Sequence, residues 1–317
     1  MVMIIMKYFT MIIAMIISFN VYSNETRFFT YKYKIGVYNN RYTHKIFAEE
    51  LCNALNANEE NSCLLVSYDS SQNLIDMLAQ DKINLLFNQD DVVSNSYNKS
   101  NLKKIIMTHK ETLNVVVPFN SKFVDISDLK SKKIAIARNE SKLLFNARLS
   151  LLLNQWRFDD IDKIVYVKNI PEALNKICKR EVDVIVVVSS NPNSMLKEYI
   201  SKCDLKFIDT ISNDFFLTKR YPYYYMMKHN SRFYDDTLKD VKTIGVNSIL
   251  ITNDLMSNDD ASYLLSVFLK VFNNVKQNNN KLILAYNTEI KYDIKNNKTI
   301  PYHNGALMYY KNNFIID

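Results

Sequence analysis

From Tyr33 onward, short apolar runs rich in β-branched residues alternate with segments whose apolar side chains recur every three or four positions. The runs have the length and character of strands covered on both faces, and the spaced segments those of amphipathic helices. Tyr33–Tyr38 predicts a strand, and Thr43–Ala54 a helix with Ile46, Phe47, Leu51 and Leu55 on one side. Cys63–Tyr68 predicts a second strand. A helix capped by Ser70 or Ser71 then runs to Gln80, with Leu74, Met77 and Leu78 turned inward. Ile83–Phe87 predicts a third strand, ending at the polar cluster Asn88, Gln89, Asp90 and Asp91.

A second unit of the same kind follows Leu113–Pro118, an apolar strand that leaves the first. Ser127-Asp128-Leu129-Lys130 leads into a strand at Lys133–Ala137, and the polar run Arg138-Asn139-Glu140-Ser141 opens a helix from Lys142 to Trp156. After a strand at Val165–Val167, Pro171 suits the first turn of a helix ending at Cys178, because a residue there has no use for its N–H. Val182–Val188 is a continuous apolar run ending at Ser189-Ser190-Asn191-Pro192-Asn193. The long apolar stretch Val241–Thr252 then returns, predicted to pair with Leu113–Pro118 as a two-stranded hinge. A helix over Asp259–Val275 and the C-terminal tail would cover the first unit. The alternation of strand and helix predicts an α/β chain with parallel sheets. Its two lobes would be residues 24–112 with 252–317, and residues 113–251 including the hinge strands.

The N-terminus has another character. Lys7 precedes an apolar run from Tyr8 to Phe19 interrupted only by Thr10 and Ser18, a charged region and hydrophobic core of signal-peptide length. Val21 and Ser23 suit a cut before Asn24, so residues 1–23 are predicted to be a signal peptide cleaved near Ser23, and the remainder periplasmic. The run is shorter than the roughly 18–20 apolar residues of a bilayer span.

The 317 residues, 48% hydrophobic and 23% charged, suffice for two lobes. The net charge of +7 accompanies abundant Lys, Asn, Ile and Tyr and only three Gly. That combination resembles a nucleotide-composition bias, and no dense basic stripe with interleaved aromatics suggests nucleic acid. Four cysteines matter more in an exported chain. Cys52 with Cys63, and Cys178 with Cys203, could each close a short loop. Four cysteines nevertheless allow three connectivities.

Catalytic patterns are missing: there is no HExxH, CxxC or GxSxG, and His44, His109, His229 and His303 show no metal-ligand spacing along the chain. No enzyme, metal or cofactor is therefore expected. No Gly-rich phosphate loop is present either.

Several segments, in order, resemble the TAXI family, the extracytoplasmic solute receptors of one branch of the TRAP transporters. IPYHNGALMYYKNN (Ile300–Asn313) is similar to the family's C-terminal run of Pro, any residue, His, any residue, Gly-Ala and a Tyr-Tyr pair. Both cysteine pairs fall where a subset of the family carries them. The family's Gln, any residue, Asp after the third strand stands here as Gln89-Asp90-Asp91. VDISDLKSKKIAIA resembles the opening of its second lobe, and YPYYYMM with DVKTIGVNSILITNDL resembles the way back.

The resemblance implies a type II periplasmic-binding-protein fold: two α/β lobes joined by a two-strand hinge, clamping a small organic acid or acidic amino acid. TRAP transporter membrane subunits would be the partner, by ion-coupled transport, and the receptor would be a monomer. Ligands of open α/β sheets collect at the carboxyl ends of strands, where helix N-termini offer unpaired N–H groups. The positions carried over as ligand contacts are Tyr42, Ser70, Ser71, Gln89, Asp91, Ser141, Ser189, Ser190 and Asn191. His303 is read as a contact holding the tail, and Tyr221–Tyr225 as packing within a lobe.

Two loops depart from the family. Gly36–Thr43 reads GVYNNRYT where the family is glycine-rich, and Arg138-Asn139-Glu140-Ser141-Lys142 replaces glycines around the second-lobe serine. Bulkier residues reshape a pocket, and Arg138 and Lys142 could meet an acidic guest, with Glu140 opposing them. The rival expectation is an exported interaction or surface protein whose cleft has lost its solute.

Overall fold

The computed structural model describes residues 31–38, 42–60, 62–137, 163–210, 221–278, 287–296 and 299–313. The signal-peptide segment, Arg138, Ser141 and the helix expected from Lys142 to Trp156 lie outside these.

The first half of the fold is β1 (Tyr33–Tyr38), α1 (Tyr42–Asn58), β2 (Cys63–Tyr68), α2 (Ser71–Ala79), β3 (Leu85–Gln89) and the short α3 (Asp90–Ser94). β1 pairs in parallel with both β2 and β3. After β4 (Leu102–Pro118), the second half repeats the plan with β5 (Lys133–Ala137), β6 (Lys163–Val167), α4 (Ile170–Cys178) and β7 (Val184–Ser190). Here β5 pairs in parallel with β6 and β7. Then come α5 (Ser194–Cys203), β8 (Leu205–Phe207), β9 (Tyr224–His229), β10 (Val241–Asn253), α6 (Asn258–Asn278), α7 (Asn287–Asn296) and α8 (Asn304–Asn312).

The sheet order β2-β1-β3-β10-β4-β7-β5-β6 contains one arrangement twice. Each set of three parallel strands is bordered by an antiparallel one, β10 beside β3 and β4 beside β7. The two bordering strands pair with each other and join the halves. Both halves are covered on both faces. In the first, Phe47, Phe87, Phe268 and Phe272 pack on one side, and Leu74, Ile83, Leu86 and Ile249 on the other. β7 is buried throughout, as its unbroken apolar run requires.

The joining pair differs from the expected one. Leu113–Pro118 lies outside the ladder with β10: Leu113–Val116 pairs with β7, and Val116–Pro118 with β8. β10 pairs instead with Leu102–Thr112, whose sequence LKKIIMTHKET hides a strand behind polar residues. Lys104, Thr108, His109, Glu111 and Thr112 are all buried there. β3 also begins and ends two residues later than expected, because Asn88 and Gln89 pair with β10.

Both local cysteine pairs are bonded, Cys52–Cys63 and Cys178–Cys203, each with Cα atoms 5.3 Å apart. Asn56 holds the first loop by accepting from the Cys63 N–H (2.8 Å) and donating to its carbonyl (3.2 Å). The second bond ties the C-terminal ends of α4 and α5.

The tail closes the first half. Lys104 N–H donates to Pro301 O and His303 N–H to Lys104 O, both at 2.8 Å. His303 caps α8 by accepting from Gly305 N–H (3.1 Å), while its other ring nitrogen meets Met256 O at 3.0 Å. Its role is thus structural. A Cβ on Gly305 would lie 2.1 Å from the carbonyl oxygen of Asn258, at the start of α6. That obstacle is backbone, so Gly305→Ala should cost roughly 2–3 kcal/mol by overpacking, read as a lower urea midpoint. An unchanged midpoint would show that α8 can slide off α6.

His229 lies 1% exposed on β9, its ring edge-on to Phe207 (4.4 Å) and Tyr234 (5.4 Å). Neither ring nitrogen has a hydrogen-bond partner among the described residues. Burial pulls its pKa from 6.5 down to about 4, with Asp240 opposing weakly. The unfolded chain therefore takes the proton first as pH falls. The stability gained by keeping this ring neutral is complete above about 6.5, declines through the interval, and is gone near 4. The gap corresponds to roughly 3 kcal/mol. His229→Phe should flatten the urea midpoint between pH 6.5 and 4, and an equally steep decline in that variant would place the titration elsewhere.

Candidate functional site

The carboxyl ends of β3 and β7 lie on opposite sides of the β4/β10 pair and carry the polar residues singled out from the sequence. On the first side, Ser70 rather than Ser71 caps α2, accepting from Asn73 N–H at 3.2 Å. Ser71 instead accepts from the Asn88 side chain (2.8 Å) and so faces the end of β3. Gln89 reaches back from the last position of β3 to donate to Glu111 Oε2 on β4. Asp91 accepts from Tyr224 OH at 2.7 Å.

On the second side, Ser189 accepts from the Asn114 side chain (3.1 Å). Asn191 donates to Thr112 Oγ1 and accepts from Tyr234 OH. Ser190 pairs its hydroxyl with that of Thr43, in the first turn of α1, at 2.6 Å. Tyr42 begins α1, but its side chain, like Arg138 and Ser141, is outside the description.

Three of these bonds cross from half to half: Thr43 to Ser190, Tyr224 to Asp91, and Asn95 Nδ2 to Tyr223 OH (2.9 Å). The Tyr221–Tyr225 run packs within a lobe as expected, with Tyr224 in its core and Tyr221 and Tyr223 against it, and in addition supplies two of the contacts between the halves. β9 places it there by pairing with β10.

The fold also assembles a polar centre that linear spacing concealed. His44 follows Thr43 on α1, and His109 and Glu111 point to the same side of β4, two residues apart. His44 Nε2 lies 3.3 Å and His109 Nε2 3.4 Å from Glu111 Oε1. The two imidazole rings are 5.5 Å apart, and His44 Nε2 also meets the Ser248 hydroxyl from β10. All four side chains are buried. Among the described residues, His44, His109 and Glu111 are the ones whose ligand atoms, within 4.8 Å of one another, could hold a metal ion. The expectation that the histidines form no ligand set rested on their separation along the chain. His109-x-Glu111 was the available signal, and it registers only once that stretch is read as a strand.

Two α/β lobes joined by a pair of long antiparallel strands, with polar side chains gathered at the facing strand ends, define the periplasmic-binding-protein fold. Residues 46–313 match the NMT1-like family, and the chain belongs to it. No curated protein matches the sequence. Among solved structures, XAC2383 from Xanthomonas citri bound to chloride ion superposes with a TM-score of 0.54 at 10% identity, over 81% of this chain and 92% of that one. The same protein bound to ATP gives 0.53 at 10% identity, over 79% and 88%. The ligand-binding core of GluR0 in complex with L-glutamate gives 0.47 at 12% identity, over 76% and 92%. Likeness at this level concerns the fold alone. No helix among the described residues is long and apolar enough to cross a membrane.

Proposed function

We propose that the protein is a solute receptor of the periplasm that captures a small organic acid or acidic amino acid, a dicarboxylate or glutamate-like molecule, between its lobes. It would then deliver the solute to a TRAP-type secondary transporter. The observation that carries this reading is the meeting of strand-end side chains across the joining pair, Thr43 with Ser190 and Asp91 with Tyr224. These groups are where a guest would be gripped by both lobes at once. A guest can hold such a protein shut only by binding the closed form more tightly than the open one.

In this proposal residues 1–23 are removed after Ser23, the lobes are 24–112 with 252–317 and 113–251, and the protein acts as a monomer. Ser71, Gln89, Ser189, Ser190 and Asn191 contact the solute, joined by Tyr42, Arg138 and Ser141. The C-terminal Pro301-x-His303-x-Gly305-Ala306 run carries the TAXI resemblance in this reading, and Pro301, His303 and Gly305 each have a part in docking the tail. The work assigned to the site is binding rather than catalysis.

One observation favours a second reading, an exported interaction or surface protein with a degenerate cleft. The groups that would grip a solute already satisfy one another across the lobes. Thermal unfolding with L-glutamate, L-aspartate, succinate and malate separates the two. A receptor at 100 times its Kd should gain about 2.7 kcal/mol and a correspondingly higher Tm. No shift with any of these acids at millimolar concentration would sink the receptor proposal and leave the second.

A further inference from the structure

His44, His109 and Glu111 present a geometry that hydrogen bonding alone explains poorly. Thr108 Oγ1 donates its single proton to Ser248 O (3.1 Å), so its 3.0 Å contact with His109 Nδ1 must be an Nδ1–H donating to the hydroxyl. The other nitrogen of the ring, Nε2, is the one turned to Glu111. It faces Glu111 Oε1 at 3.4 Å and makes no hydrogen bond among the described residues. A buried ring nitrogen left without a hydrogen bond costs free energy, and a cation shared with the carboxylate would remove that cost. The second imidazole, that of His44, approaches the same oxygen at 3.3 Å.

Both distances exceed the roughly 2.7–2.9 Å of a charge-assisted hydrogen bond. They equal the separation of neighbouring ligands on a tetrahedral ion with bonds of about 2.0–2.1 Å, whose edge is about 3.3–3.4 Å. The surroundings of His109 and Glu111 are those that metal ligands need. Thr108 orients the His109 ring through Nδ1, and Gln89 holds Glu111 by Oε2, the oxygen that does not meet the imidazoles in the contacts above. Phe47 stacks on the His109 ring with centroids 5.6 Å apart.

From this geometry we infer that His44, His109 and Glu111 form a binding site for one divalent transition-metal ion of the zinc class, between the first turn of α1 and the middle of β4. Two imidazoles and a carboxylate select such an ion over calcium or magnesium, which prefer six or more oxygens. Binding replaces the Ser248 hydroxyl at His44 Nε2. A four-coordinate ion held by three protein ligands takes its fourth from water or an anion.

The test uses the full chain without an affinity tag, stripped with EDTA and dialysed against ZnCl2. Elemental analysis should find one zinc per chain. CoCl2 in its place should give the intense visible absorption of four-coordinate cobalt(II), abolished by added ZnCl2. His109→Ala and Glu111→Gln should each lose the equivalent of zinc, Gln89→Ala should bind about tenfold more weakly, and His229→Phe should bind as the parent does. Absence of the cobalt spectrum from the unaltered chain would overturn the inference even if the variants failed to fold. So would zinc retained undiminished by folded His109→Ala.

Discussion

Reduction of both disulfides should lower the unfolding free energy by roughly 6 kcal/mol, and the Cys178–Cys203 bond should open before Cys52–Cys63. The two bonds close loops with sequence separations of 25 and 11. By the chain-entropy estimate each restricts the unfolded chain by about 3 kcal/mol. They differ in access. Cys52 and Cys63 are buried where α1 lies on β2, in the same core as Leu51 and Leu55. Cys178 and Cys203 are half-exposed at the ends of two surface helices. Timed alkylation in dithiothreitol with mass detection reads the order, and urea midpoints with and without reductant read the cost. Unchanged midpoints would mean that packing rather than the cross-links limits unfolding.

Replacing Lys104 by Met should cost about 3–5 kcal/mol, the penalty for stranding buried charge. Its ammonium is fully buried, 3.2 Å from Asp90 Oδ2 and 2.9 Å from Asp293 Oδ2. Burial alone would lower its pKa, but the two carboxylates outweigh that and raise it. Thr299 and Tyr302 add hydrogen bonds to the same carboxylates at 2.9 and 2.7 Å, so a single lysine joins β4, α3 and the C-terminal elements. If the cost comes from unpaired anions, Asp90→Asn and Asp293→Asn added to Lys104→Met should recover much of the loss. A Lys104→Met chain as stable as the parent, by urea denaturation, would show that water reaches this cluster.

The elements legible from sequence are those in which one apolar periodicity suffices. Tyr33–Tyr38, Cys63–Tyr68 and Lys133–Ala137 were expected residue for residue, and the helix starting at Thr43 differs mainly by continuing to Asn58. Local capping was legible too: Ser70, one of the two serines expected to cap α2, accepts from Asn73 N–H (3.2 Å), and Pro171 lies in the first turn of α4. β4 was only half legible. Its first eleven residues carry two lysines, a histidine, a third lysine and a glutamate, and polar strands of that kind read as surface. Lys104, His109 and Glu111 are buried among them, and partners from other elements meet the charges: Asp90 and Asp293 for Lys104, Gln89 for Glu111, and Glu289 for the half-buried Lys110.

The candidate site was read in the same uneven way. Gln89, Asp91, Ser189, Ser190 and Asn191 stand at strand ends, and a strand end is visible as the point where an apolar run stops. Thr43, His44 and Tyr224 could not be found so, because their parts depend on partners 147, 204 and 133 residues away.

By itself the sequence determined the repeating β-α-β plan, the separation into two such units, and the strand ends at which polar groups collect. Burial periodicity and helix capping are local properties, and they act within a dozen residues. Only the tertiary structure decided which stretch of β4 joins the lobes, which cysteines bond, and that two histidines and a glutamate share one buried point. Those outcomes depend on groups brought together by the fold from separate elements, where desolvation favours partners that the nearest neighbours in sequence do not supply.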